Sequence, residues 1–77
     1  MEHIDSSEVL KVVVDSSGKS RRQISRELGR FDTYVQTTLG KQTVPGLSVT
    51  SQICELCGYE LVLREKETGN ERVIDPS

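Results

Sequence analysis

Seventy-seven residues, 34% of them apolar, allow one domain with a small core. Ten cations against twelve carboxylates leave a net charge of −2, and no apolar run reaches the roughly 18–20 residues that span a bilayer. These figures exclude a membrane-spanning helix and place the chain apart from disordered polyelectrolytes. The acidic start Met1-Glu2-His3-Ile4-Asp5 lacks the basic and apolar regions of a signal peptide, so a cytoplasmic location is expected.

Asp5-Ser-Ser-Glu8 reads as a helix cap with a carboxylate three positions on, followed by Val9, Leu10, Val13 and Val14 at helical spacing. A first helix over 6–16 follows. The β-branched run Val12-Val13-Val14 would also suit a strand, but the length of the periodic segment and the stop at Gly18 favour a helix. Ser20 and Gln23 form a capping box, which starts a second helix at about Arg21. Ile24 and Leu28 share its apolar face, with Arg21, Arg22 and Arg26 elsewhere on the cylinder. Gly29 comes directly after the last apolar residue and ends the helix. Val35 and Leu39 repeat the four-residue spacing on a third helix over 32–39, which stops before Gly40 or within 41–44, ahead of Pro45. So short a turn forces the second and third helices to cross steeply, as in a helix-turn-helix.

Pro45-Gly46-Leu47-Ser48 opens a fourth helix whose stripe contains Leu47, Thr50, Cys54 and Cys57, broadened by Val49, Ile53 and Leu56 and stopped by Gly58. The period then changes to two. Residues 59–64 alternate as a strand, 67–70 supply a loop with Gly69 and Asn70 suited to positive φ, and 71–75 return as a second strand. The expected architecture is mainly α, a single domain over 1–77 with a helical core at 6–58 and a C-terminal β-hairpin at 59–77. A lone two-stranded hairpin is marginal in water and keeps free edges. Tyr59, Leu61, Val62, Leu63, Val73 and Ile74 are therefore expected to pair with a second copy in a symmetric homodimer.

Charge is segregated along the chain. Residues 19–41 carry Lys19, Arg21, Arg22, Arg26, Arg30 and Lys41 against Glu27 and Asp32, a net +4, while the flanking segments are each −3. A basic patch on the paired helices is the electrostatic footprint of double-stranded DNA binding even where the whole chain is acidic. Ile24, Ser25, Gly29, Val35, Gly40, Lys41 and Pro45 also fall at the spacings of the phage-repressor and Cro-like helix-turn-helix proteins of the XRE type. The chain resembles that family over about 6–58, and its tail, Cys57-Gly-Tyr-Glu-Leu-Val-Leu-Arg64 followed by Glu67-Thr-Gly69, looks like that of small prophage or mobile-element regulators within it. Phe31 and Asp32 depart from the pattern, standing where the family has a small capping residue and a polar or basic contact residue.

By position, the resemblance puts Asp32, Thr33, Gln36 and Thr37 on the exposed, base-reading face of the recognition helix. Chemistry agrees in part. Gln36 can pair bidentately with adenine, and Thr33 and Thr37 can donate to base acceptors or set a methyl against thymine. Asp32 could accept only from a cytosine amino group, or else serve as a helix N-terminal residue stabilised by the dipole. Ser20, Arg21, Arg22, Arg30, Lys41 and Thr43 are the candidates for phosphate contacts. Tyr34 is read either as a further phosphate donor or as packing beside Phe31. Arg26 is ranked lower, since it can pair with a neighbouring acid.

Cys54-Glu-Leu-Cys57 has the spacing of zinc and dithiol sites, but His3 alone remains as a strong nitrogen donor, so two buried structural cysteines are expected and no metal or cofactor. No nucleophile–base arrangement or phosphate-binding glycine loop suggests catalysis. The expected function is a sequence-specific transcriptional regulator, a repressor reading a palindromic operator. The alternatives are an antitoxin-like protein with a toxin partner and a scaffold module that keeps the fold without binding DNA.

Overall fold

The computed structural model describes residues 2–41 and 45–76. Within them the chain forms α1 (Val9–Ser16), α2 (Arg21–Glu27), α3 (Tyr34–Gly40), α4 (Leu47–Leu56), β1 (Leu61–Arg64) and β2 (Glu71–Ile74). The architecture is mainly α with a two-stranded antiparallel hairpin.

Each helix end has a local cause. Asp5 closes the chain ahead of α1, its Oδ1 accepting from Ser7 N–H at 3.3 Å and its carbonyl from Glu8 N–H at 2.9 Å. These bonds make 6–8 a turn, so α1 starts at Val9, later than the Asp5–Glu8 pattern suggests. Ser20 Oγ accepts from Gln23 N–H at 3.0 Å and caps α2, which is the serine half of the expected capping box. At the far end of α2, Gly29 has φ +77°, Arg30 N–H donates to Ser25 O, and Gly29 N–H donates to Arg26 O. This is a Schellman stop, and it recurs at Gly58 (φ +83°), where Tyr59 N–H donates to Cys54 O and Gly58 N–H to Glu55 O. The third helix begins at Tyr34. Asp32 and Thr33, expected inside it, form the turn before it, with Thr33 at the N-cap.

Leu10, Val14, Ile24, Val35 and Ile53 form the buried core, one or more from each of the four helices, with Leu28, Tyr34, Leu39, Val49, Leu56 and Cys57 packed around them. α1 packs on α4, and α2 packs on both α3 and α4. Fully burying a side chain of this size contributes roughly 1.5–3 kcal/mol, so five of them are enough to specify one arrangement of short helices. Leu47 is the exception to the apolar stripe expected on α4: at the first position of the helix it lies beyond the core and is 67% exposed.

In the hairpin, Leu61 pairs with Ile74, Val62 with Val73, Leu63 with Arg72 and Arg64 with Glu71. Its turn is closed by Glu65 N–H donating to Asn70 O and Gly69 N–H to Glu65 O, both 2.9 Å. The base is fastened to the helices at two points. Ser51 Oγ donates to Ile74 O at 3.0 Å, and the Ser16 and Tyr59 hydroxyls share a 2.6 Å hydrogen bond. Tyr59 therefore sits ahead of β1, against the end of α1, and β1 starts at Leu61. No helix among the described residues is long and apolar enough to cross a membrane.

Candidate nucleic-acid interface

The α2–turn–α3 unit is built around Ser25. Its side chain is fully buried, donates to Arg21 O at 2.8 Å, and accepts from Val35 N–H at 3.0 Å. One hydroxyl thus satisfies a carbonyl in α2 and an orphan amide in the first turn of α3. With Ile24 and Val35 both buried beside it, the two helices are fixed against each other. The sequence shows Ser25 only as a small residue at a family spacing; its use as a link appears once Val35 is folded against it.

Burial of Val35 turns Thr33, Gln36 and Thr37 outward, and all three are exposed. Gln36 and Leu39 also line a cleft of about 440 Å³ completed by Ser7, Glu8, Lys11, Arg21 and Gly40. Lys11 is the cation that sequence reasoning missed. It belongs to the acidic N-terminal segment, and no spacing rule relates α1 to α3.

Most of the basic residues already face carboxylates. Arg21 Nη2 lies 3.4 Å from Asp15 Oδ1, and Lys19 Nζ lies 3.2 Å from Glu27 Oε1. Asp32 accepts two hydrogen bonds from Arg26, at Oδ1 (2.9 Å) and Oδ2 (3.1 Å), and Arg22 Nε stands 3.4 Å from the same Oδ2. The Arg26 bonds hold the Asp32 carboxyl below the usual aspartate range and raise the Arg26 guanidinium in return. The Asp32 carboxylate is thus directed at α2, away from the outer face of α3.

Arg30 lies over the Tyr34 ring, 5.0 Å from its centroid, and Phe31 meets the same ring edge-on at 5.8 Å. Phe31 is 63% exposed, so this stack forms one edge of the surface beside α3. It has the packing geometry expected for Tyr34 beside Phe31 and leaves its role toward phosphate open. Ser20 and Lys41 are exposed at the start of α2 and the end of α3, and Thr43 lies outside the described residues.

The cysteines are away from this face. Cys54 is buried and Cys57 half-buried at the end of α4, and burial pushes both thiols up. Among the described residues, no three His, Cys, Asp or Glu side chains gather as a metal cluster would require. No protein-family model, curated protein or solved structure matches the chain.

Proposed function

We propose that the chain is a sequence-specific DNA-binding transcriptional regulator of the phage-repressor and Cro-like type, acting as a homodimeric repressor. The observation that carries this reading is the outward row Thr33, Gln36 and Thr37 on a helix whose inner residue Val35 is buried, set in a segment of net +4. α3 enters the major groove, Gln36 reads adenine, and the threonines read acceptors or the thymine methyl. Arg21, Arg22, Arg30, Lys41 and Lys11 approach phosphate, while Asp32 positions Arg22 and Arg26 and Asp15 positions Arg21. Two subunits read half-sites about one helical turn apart and block a promoter by occupying it.

Selection of bound sequences from a random DNA pool tests the reading directly, with an approximate palindrome expected. Gln36→Ala should cost about 1–3 kcal/mol at one base position and relax preference there. Lys41→Ala should weaken all sequences alike and lower the salt slope by about 1. Equal weakening of every sequence by Gln36→Ala would remove α3 from the groove.

A second reading, an antitoxin-like protein that also binds a partner, draws on the groove lined by Glu27, Leu28, Gln52, Glu55, Leu56 and Pro76, which combines two carboxylates with apolar side chains. A stable heteromeric complex on co-expression with the neighbouring gene would favour it.

A further inference from the structure

The hairpin leaves Val62, Leu63 and Val73 exposed at 39%, 62% and 52%, on both of its faces. Among the described residues neither strand is joined to a further one. The two outer edges are not equivalent. Glu65 N–H donates to Asn70 O, so by the alternation of an antiparallel ladder the Leu63–Arg72 and Leu61–Ile74 pairs also exchange bonds inside the hairpin. The amides and carbonyls of Val62 and Arg64 on β1, and of Glu71 and Val73 on β2, then face outward.

We propose that β1 is the edge that pairs with a second copy of this chain, antiparallel and centred on Val62. This deepens the homodimer of the proposed function and rests on it. In that register Val62 exchanges both hydrogen bonds with the partner's Val62, Leu61 stands opposite the partner's Leu63, and Glu60 stands opposite the partner's Arg64. The pattern Glu60-Leu-Val-Leu-Arg64 is complementary to its own reverse. Arg64 is also the register partner of Glu71 within the hairpin, and the added strand places a second carboxylate on its other side. Val73, Val62 and their two counterparts form a continuous apolar row across the four-stranded sheet. Leu63 gains an apolar neighbour that its own cross-strand partner, Arg72, does not supply. The same operation on β2, centred on Val73, would align the same valines, but it sets Glu71 against the partner's Asp75 and Arg72 against the partner's Ile74, which opposes like charges at both ends and gives Leu63 no apolar neighbour.

Sedimentation equilibrium of the full chain and of the variants Glu60→Arg, Arg64→Glu and the double exchange tests the register, with far-ultraviolet circular dichroism confirming that each is folded. Each single variant puts like charges at both ends of the paired strands and should raise the dimer dissociation constant roughly tenfold or more. The double exchange should recover most of the loss, the remainder being the like-charge pair that residue 64 then makes with Glu71 inside the hairpin. Asp75→Arg should leave the dimer unchanged within about twofold, since β2 is not at the dyad. A dimer indifferent to both single variants would overturn the β1 register and leave the homodimeric reading intact. A wild-type chain that stays monomeric at millimolar concentration and binds DNA as a single copy would overturn both.

Discussion

Where the α2–turn–α3 unit buries Ile24 and Val35 completely and turns the hydroxyl of Ser25 inward, the hairpin holds Val62, Leu63 and Val73 in solvent and is pinned at its base through Ser51 and Tyr59. The first region is specified from within. Its polar surface, Thr33, Gln36 and Thr37, can change without disturbing what holds it together. The second holds its apolar residues at the surface, where the proposed β1 pairing would cover them. One small chain thus separates a face set by its own core from a face its own core leaves open.

The sharpest way to break this contrast is to truncate one apolar residue in each region. Ile24→Ala should destabilise the chain by about 2–5 kcal/mol, whereas Leu63→Thr, measured by denaturant unfolding at a concentration where the chain is monomeric, should stay within about 0.5 kcal/mol. Equal losses would mean that the hairpin is part of the same cooperative core. A smaller effect sharpens the account of the first region. Ser25→Ala leaves Val35 N–H buried without its partner and should cost about 1–3 kcal/mol in the same measurement, more than its lost volume explains.

The smallest effect concerns the surface of that region. Because Asp32 has a depressed pKa in the folded chain, its pairing contributes fully above the ordinary aspartate value of about 3.9 and is lost as pH falls through the lower folded value. An NMR titration of the Asp32 carboxyl should show a midpoint below about 3.9, moving upward in Arg26→Ala. An unchanged midpoint in that variant would assign the depression to Arg22.

What the sequence made legible follows from range. Ser20, Gly29 and Gly58 act within one helical turn of themselves, and the structure uses each as expected. The 3.6 and 2 periods located four helices and the hairpin for the same reason. Misplaced boundaries belong to residues with more distant partners. Asp32 leaves the expected helix and meets Arg26, and Tyr59 leaves the expected strand for Ser16, 43 positions away. Asp5 and Glu8 failed at short range, because the Asp5 side chain has a closer amide at Ser7 than any in the helix. In the candidate interface the inward Val35 was legible from periodicity and the outward Thr33, Gln36 and Thr37 from the resemblance, while the pairing of Arg21 with Asp15 and the approach of Lys11 to Gln36 depend on how α1 lies against the other helices.

The hydrogen bond between Tyr59 and Ser16 has a geometric consequence. It lies where the chain leaves the helical body for the hairpin, directly after the turn at Gly58, and the molecule measures 41 Å along its longest axis against 23 and 22 Å across. In an assembly paired through β1, that joint acts as a fulcrum between two long arms. A few degrees of change there would be magnified into ångströms at the far ends, so the spacing of the two α3 helices in the proposed dimer would be set by a phenol and a serine at the pivot as much as by the residues proposed to meet DNA.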